Sequence, residues 1–245
     1  NGINIIDTAD AYGDATSTIG KYLKISKNKF QVNTKFNVGE VSIEKQLNTT
    51  LKKLNINNIN TYFFHNYNDF KIYGKKIIDL KNSGLVKKIG LSVYSNQEFE
   101  VASKTSWIDV IQFPYNLLDN KFQRVKQLEK AKKRNKEIQA RSVFLQGLFF
   151  LPVEKLPKKL NKLKPYINEI HKIILNNKIC MTQLCLNYVM SNKLIDNIII
   201  GIDSLQQLDD NIKMLHSDQN EDLNYLIDCI KVVESDLLYP YNWNQ

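Results

Sequence analysis

Residues 3–12 read INIIDTADAY, a short β-branched run that stops at an acid, Asp7, and reaches a phenol, Tyr12, five residues later. Two further runs end in the same way: FQVNTK, residues 30–35, stops at Lys35, and TYFFH, residues 61–65, stops at His65. When parallel strands are joined by helices into a barrel, their C-terminal ends converge on one face, and catalytic groups there come from several strands. An acid, a phenol, an ammonium and an imidazole on one rim predict a proton-transfer site.

The same kind of short β-branched or aromatic run recurs along the whole chain. It predicts seven strands, at residues 3–6, 30–34, 61–64, 89–91, 109–112, 138–141 and 197–200. Segments of helical period lie between these runs, and strands that alternate with helices are typical of a parallel sheet covered by helices. The sequence therefore predicts an α/β fold and a single domain over residues 1–245, a length that α/β barrels commonly reach undivided.

The helical segments carry recognisable start and stop signals. Ile43, Leu47, Leu51 and Leu54 recur at the spacing of one helix face, with Ser42 as a candidate N-cap. Further along the chain, Ser95 and Glu98 form a capping-box pattern, and Gly84 is a candidate C-cap. A further helix, TQLCLNYVM, is predicted to open at Met181 or Thr182.

Composition narrows the class of protein. The formal net charge is +9, but the lysines are spread along the chain, and the densest run, 130–136, is predicted to lie on a solvated helix face. A nucleic-acid role needs basic groups gathered on one surface, so none is expected. The three cysteines match no metal-ligand spacing, and no apolar stretch is long enough for a membrane span or a signal peptide. We expect a cytoplasmic protein with unpaired thiols, no metal site and no membrane contact, whereas the oligomeric state stays open.

Seven motifs in order, with a closing segment after them, resemble the aldo-keto reductase superfamily. They are DTADAYG, NTK, FFHN, IGLS, IQFPYN, ARSVFLQGL and IIIGIDSLQQLDDN, followed by LLYPYNW near the C-terminus. Members of this family are eight-stranded (β/α) TIM barrels that reduce carbonyls with a nicotinamide cofactor. The resemblance implies the same barrel here and a small-molecule aldehyde, ketone or keto-sugar as substrate.

The resemblance places the family's catalytic tetrad on Asp7, Tyr12, Lys35 and His65 with nothing substituted. A phenol, with a pKa of about 10, is a poor acid at neutral pH unless its conjugate base is stabilised. An adjacent ammonium from Lys35 would favour the phenolate of Tyr12, and Asp7 would hold that ammonium charged and oriented. Neutral His65 would donate to, or orient, the substrate oxygen. Tyr12 is thus expected to be the general acid.

The cofactor positions that the resemblance implies are less uniform. Ser92 and Gln112 match positions that hold the nicotinamide carboxamide, and Arg141 lies where the family often has an aromatic residue against the nicotinamide ring. A guanidinium can also stack on such a plane. The loops after strands seven and eight of such barrels commonly bind phosphate, and Asn211 matches the residue that faces the adenine. The residues that resemble these phosphate loops are Ser142, Gln146, Gly147, Gly201 and Ser204.

The choice between NADP and NAD stays open in the sequence. Many family members use a Lys just after strand eight and an Arg four residues before the Asn to hold the 2′-phosphate of NADP. This chain has Gly201 and Gln207 there, with the carboxylate of Asp203 nearby. A carboxylate would repel a phosphate and can bind a free ribose hydroxyl, as acidic residues do in other NAD sites. The family's common use of NADP favours that cofactor here, whereas Gly201, Gln207 and Asp203 favour NAD.

Substrate choice is expected to rest in three loops, at residues 66–69, 114–120 and 148–157. The last contains FFLPVEKLPKKL, whose prolines and lysines suggest either a lid for an anionic substrate or an ordinary solvated loop. Two alternatives to an active enzyme remain. The first is a non-catalytic barrel that binds cofactor or a partner protein, and the second is a nucleic-acid binder supported by net charge alone.

The seven predicted strands are one fewer than the eight of the family's barrel. Family members begin with a strand and helix before the segment that opens here, and a barrel closes only when every strand has two neighbours. The sequence therefore predicts a barrel that lacks its first strand and helix in this chain.

Overall fold

The computed structural model describes residues 2–36, 39, 41–215 and 220–243. These residues form short parallel strands that alternate with helices. The strands are β1 (Ile5–Asp7), β2 (Gln31–Phe36), β3 (Ile59–Phe64), β4 (Val86–Ser92), β5 (Val110–Pro114), β6 (Glu137–Arg141) and β7 (Asn197–Ile198). The helices are α1 (Ala15–Ile25), α2 (Ile43–Leu54), α3 (Tyr67–Tyr73), α4 (Ile78–Asn82), α5 (Asn96–Lys104), α6 (Lys121–Lys133), α7 (Lys164–Asn177), α8 (Met181–Met190), α9 (Leu205–Leu215) and α10 (Glu221–Asp228). The α/β class with parallel strands is confirmed.

The chain divides into two compact units. The first comprises Asn1–Gln112 with Lys133–Glu137, and the second comprises Phe113–Lys132 with Ile138–Gln245. In the first unit, β1 pairs with β2, β2 with β3, β3 with β4 and β4 with β5, always parallel. In the second unit, β6 pairs with β7 in the same sense. Consecutive strands are thus neighbours within each unit, as βα repeats produce.

Helix α2 shows how the sequence builds the first unit. Its predicted apolar face, formed by Ile43, Leu47, Leu51 and Leu54, is buried, and the Ser42 side chain caps the first turn. Helix α1 packs on α2 at Gly20, where a Cβ atom would lie 1.8 Å from the carbonyl oxygen of Lys53. Any larger residue at this position would force the two helices apart.

The other predicted helix signals are also present. Ser95 and Glu98 form both hydrogen bonds of a capping box at the start of α5. Gly84 follows the end of α4 with φ +79°, the left-handed conformation that glycine tolerates. Helix α8 begins at Met181, and Cys180, Cys185 and Cys229 are unpaired.

Strand boundaries differ from the predicted ones at both ends of the chain. β1 begins at Ile5 rather than at residue 3, because its register with β2 starts at Ile5 opposite Gln31. β7 ends at Ile198 rather than at residue 200, because its ladder with β6 extends only from Gln139 to Ala140. Ile199 still donates its backbone N–H to Ala140 at 2.8 Å, and the loop into α9 follows it.

The prediction that the basic run 130–136 lies on a solvated face is wrong at its last residue. Lys136 is buried, and its ammonium donates to the carbonyl oxygens of Thr105 and Ile108. Burial lowers the pKa of Lys136, which outweighs the opposite effect of Asp109. This lysine therefore closes a loop within the first unit.

The lysine-rich segment after residue 150 packs against the protein through its buried leucines. It forms short 3₁₀ turns at Val153–Lys155 and Lys158–Leu163 before α7 begins. Leu156, Leu160 and Leu163 are buried, whereas the lysines between them are exposed. The segment buries apolar surface and presents its charge to solvent, and its predicted role as a lid stays a prediction.

Candidate active site

In the first unit, the carboxylate of Asp7 and the ammonium of Lys35 form an ion pair at the C-terminal ends of β1 and β2. Both side chains are nearly buried, with 8% and 3% of their surface exposed. The Lys35 ammonium also donates to the backbone oxygen of Thr8 at 3.3 Å, and the Gln112 amide donates to Asp7 at 3.0 Å. Each member of the pair is therefore held by one further hydrogen bond.

Tyr12 and His65 complete this cluster from the segments that follow β1 and β3. Their ring centroids are 6.2 Å apart in an edge-to-face arrangement. The Lys35 nitrogen lies 5.6 Å from the centroid of the Tyr12 ring and 5.7 Å from that of Phe63. Tyr12 keeps 50% of its surface exposed, so solvent or a ligand can reach it. The structure thus brings the four predicted catalytic residues together.

Ser92 and Gln112 also lie at strand ends in the first unit. They face each other in the register of β4 and β5, and both are buried. Because the Gln112 amide donates to Asp7, this side chain supports the ion pair directly. The sequence predicts only a cofactor contact for Gln112. Its hydrogen bond to Asp7 joins residues 105 positions apart, which no local sequence pattern indicates.

The second unit contains a cavity of ≈ 530 Å³. Its walls come from the segment after β6, the start of α8, and the stretch from β7 into α9. Six of the residues predicted to bind cofactor line it: Ser142, Gln146, Gly147, Gly201, Gln207 and Asn211. The structure therefore gathers most of the predicted cofactor positions of this unit around one concave surface.

Arg141 and Ser204 are the other two predicted positions of this unit. Each forms a hydrogen bond to a residue that lines the cavity. The Arg141 guanidinium donates to the hydroxyl of Ser142 at 3.1 Å. The Ser204 hydroxyl accepts from the backbone N–H of Gln207 at 3.2 Å, which caps α9. Each fixes one neighbour whose side chain or backbone meets the cavity.

The backbone after β6 is unusual. Ser142, Leu145, Gln146 and Gly147 have φ values of 58°, 44°, 52° and 79°. Residues other than glycine rarely adopt this left-handed region, and such strain concentrates at functional sites. Gly147 and Gly201 both line the cavity, and no atom lies within 4 Å of the position that a Cβ would occupy at either residue. Their backbones are therefore open to a ligand.

The cavity has further walls that sequence reasoning missed. Phe144, Phe150 and Ile200 supply apolar surface, and Thr182 adds a polar group at the start of α8. The sequence indicates Thr182 only as a helix start and Phe150 only as part of the substrate loop 148–157. The two phenylalanines fall in a 3₁₀ turn at Leu145–Phe150 and just before it. No spacing rule would have assigned these residues to one surface.

A second buried ion pair lies in the second unit, between Arg124 on α6 and Asp119. Two nitrogens of the guanidinium each donate to one carboxylate oxygen at 2.6 Å, and both side chains are almost fully buried. Burial alone would lower the pKa of Arg124, but the Asp119 carboxylate beside it more than offsets this and raises the pKa. The Arg124 guanidinium also lies 5.8 Å from the ring of Phe113.

Among the residues that the structure describes, no three His, Cys, Asp or Glu side chains lie together as a metal site. In the same part of the chain, no helix combines the length and apolar character needed to cross a membrane.

Comparison with known proteins shows the family to which this chain belongs. The sequence model of the aldo/keto reductase family matches residues 1–230. The chain belongs to the aldo/keto reductase family, and this membership indicates an oxidoreductase that acts on small-molecule carbonyls with a nicotinamide cofactor. No curated protein sequence matches the chain.

Solved structures show the same fold. A glycerol dehydrogenase from Gluconobacter oxydans has a TM-score of 0.74 at 20% identity, over 94% of this chain and 81% of its own. The holo form of an aldo-keto reductase from Bacillus halodurans has a TM-score of 0.74 at 19% identity, over 94% and 83%. An aldo-keto reductase from a Medee basin deep-sea metagenome library gives 0.71 at 20% identity, over 94% and 82%.

Proposed function

We propose that this protein transfers a hydride between a nicotinamide cofactor and an aldehyde, ketone or keto-sugar, with Tyr12 as general acid. The observation that carries the proposal is the position of the Lys35 ammonium. It is paired with Asp7 and lies 5.6 Å from the ring of Tyr12, a phenol that remains half exposed.

Each residue of the cluster has a distinct part in this chemistry. A cationic group near a phenol stabilises the phenolate that remains after proton donation. Asp7 keeps Lys35 charged and aimed, and Gln112 holds Asp7 from its other oxygen. His65, whose ring lies 6.2 Å from that of Tyr12, would orient the carbonyl oxygen that receives the proton.

The cavity of the second unit is our proposed site for the phosphate and adenosine portion of the cofactor, which supplies the hydride when bound. Open glycine backbones at Gly147 and Gly201 suit the close approach of a phosphate. The buried side chain of Asn211 supplies amide groups for a base. The apolar walls from Phe144 and Phe150 would exclude water from such a ligand.

Within this cavity we propose that NADH binds at least as well as NADPH. A 2′-phosphate is best held by a bidentate arginine or another cation. The described residues of the lining include the carboxylate of Asp203 and no lysine or arginine. Gln207, which the family resemblance places where many members have a cation, accepts from the backbone N–H of Asp203 at 2.8 Å.

A screen of reduced-cofactor oxidation tests this function. Purified protein is mixed with NADH or NADPH and a panel of aldehydes, ketones and keto-sugars, and cofactor affinity is measured separately by calorimetry. We expect turnover with at least one carbonyl and an NADH dissociation constant no higher than that of NADPH. A non-catalytic barrel would bind cofactor without oxidising it against any carbonyl in the panel.

Other predictions from the sequence stay predictions. They are a single domain over residues 1–245, a barrel without its first strand and helix, a cytoplasmic location and the absence of a nucleic-acid partner.

A further inference from the structure

The loop that carries Tyr12 joins β1 to α1. Gly13 within it has a positive φ and no atom near its Cβ position. The Tyr12 backbone forms tight local turns with Ala9 and Ala15, at 3.0 and 3.1 Å. An attachment from this loop to the neighbouring strand and helix would help to keep Tyr12 near Lys35.

Asp10, two residues before Tyr12, supplies that attachment. Its backbone N–H donates to the carbonyl oxygen of Lys35 at 3.1 Å, which ties the loop to the residue that bears the ammonium. Its carboxylate accepts from the hydroxyl of Thr50 at 2.9 and 3.1 Å. Thr50 lies on α2 with 2% of its surface exposed. Asp10 is therefore fixed by its backbone to β2 and by its side chain to α2.

Helix α2 is a rigid anchor for this contact. Its apolar face is buried, and its backbone contacts α1 directly at Gly20. A hydroxyl on a buried helix has little freedom to move, so a carboxylate that it holds is fixed as well. Small displacements of a reacting group cost large factors in rate, because proximity supplies much of the acceleration.

We propose that Thr50 and Asp10 are positioning residues that hold the Tyr12 loop against Lys35 and His65. This inference rests on the proposed function, because it assigns the tether a role through the general acid. Neither residue touches the reacting atoms in this assignment. Loss of the Thr50 hydroxyl releases the loop, and Tyr12 then spends less time beside the ammonium.

The test uses three variants of the full chain. Thr50→Val keeps the shape of the side chain and removes the donor, whereas Thr50→Ser keeps the donor. Thr49→Val is the matched control, because the neighbouring hydroxyl donates only to the Lys45 carbonyl of its own helix, at 2.9 Å. For each variant we measure kcat, KM for the carbonyl, cofactor affinity, Tm, and hydrogen exchange of residues 8–14.

We expect Thr50→Val to lower kcat by about 10-fold to 100-fold, with cofactor affinity unchanged and exchange in residues 8–14 increased. Thr50→Ser should restore both properties, and Thr49→Val should change neither. Wild-type kcat in Thr50→Val, or a loss of kcat that Thr50→Ser does not restore, would overturn the proposal.

The two proposals fail in distinguishable ways. Absence of turnover in the wild-type protein contradicts the proposed function. Unchanged hydrogen exchange in Thr50→Val contradicts the tether, whether or not the protein turns over.

Discussion

Each unit of this protein buries a cation against an aspartate, and the two pairs differ in what surrounds them. In the first unit, Lys35 is paired with Asp7, and in the second unit, Arg124 is paired with Asp119. Lys35 also lies beside the half-exposed ring of Tyr12, whereas Arg124 lies beside the buried ring of Phe113 and the less exposed phenol of Tyr239, whose pKa is raised by burial despite the neighbouring guanidinium. An ion pair becomes available to chemistry when an exposed, titratable group adjoins it. Burial of the two charges does not by itself tell a pair with a chemical role from a pair with a structural role.

Among the variants that test this comparison, we expect the largest loss of activity at Tyr12. Tyr12→Phe keeps the ring and removes the acidic proton, so reduction should fall by roughly 10²–10⁴-fold, the contribution of a general acid. Lys35→Met should be similarly damaging, because the phenolate of Tyr12 then loses the cation beside it. Steady-state kinetics measure the loss, and calorimetry should show cofactor affinity retained in Tyr12→Phe. Near-normal turnover in that variant would remove the mechanism.

At the Arg124–Asp119 pair we expect the opposite result, a loss of stability with turnover retained. Arg124→Met leaves the Asp119 carboxylate buried without its partner and should lower the free energy of unfolding by about 3–5 kcal/mol. Urea denaturation measures this loss. Turnover per folded molecule should stay within about a factor of two of wild type.

A double variant, Arg124→Met with Asp119→Leu, controls for the stranded carboxylate. It should recover most of the stability, because well-packed apolar residues often replace a buried pair at little cost. If Arg124→Met instead abolished turnover in a fully folded protein, the division between a reactive pair and a structural pair would be wrong.

A smaller effect is expected at the cavity of the second unit. Gln207→Arg places a cation on the lining beside Asp203 and should shift relative affinity toward NADPH by about tenfold, the scale of one charge-assisted hydrogen bond. Calorimetry with both cofactors measures the shift. Gln206→Arg is the matched control, since Gln206 lies on the same helix and bonds Asp210 instead. An equal shift in both variants would indicate a general effect of charge.

The sequence predicted those parts of the structure that local rules govern. Asp7, Lys35 and His65 could be grouped because the ends of parallel strands meet on one face, whatever lies between them. The buried face of α2 follows from a spacing of three and four residues, and the capping box of α5 from a pair three residues apart. Each of these signals lies within one element or at its end.

Contacts that depend on distant segments could not be predicted. Lys136 belongs to a basic run, and only the carbonyl groups near residue 105 show why it is buried. Nothing about α6 indicates that Arg124 faces inward to meet Asp119. The left-handed conformations of Ser142 and Gln146 carry no signal either, because residues other than glycine give no warning of a positive φ. Such features are imposed by packing.

The smallest expected effect concerns a third acid, Asp10, whose half-buried carboxylate faces Thr50 on α2. Burial raises its pKa above the ordinary value of 3.8, while the Thr50 hydrogen bond and the charge of Lys53 on α2 oppose the shift. Asp10 in turn adds to the raised pKa of Tyr62 on β3, so the groups that face it are Thr50, Lys53 and Tyr62.

A carboxyl group whose pKa is raised in the folded state keeps its proton to higher pH than it does in the unfolded chain. Its contribution to stability is therefore lost as pH rises from about 4 through the folded pKa. Asp10→Asn keeps an acceptor for Thr50 and cannot titrate, so it should lack this slope. Urea denaturation of both proteins between about pH 4 and pH 7 should show the variant gaining relative stability with pH, by less than about 1 kcal/mol because solvent screens a half-buried group. Parallel curves would contradict this prediction. They would mean that Asp10 titrates alike in the folded and unfolded chains, with Thr50 and Lys53 offsetting its burial.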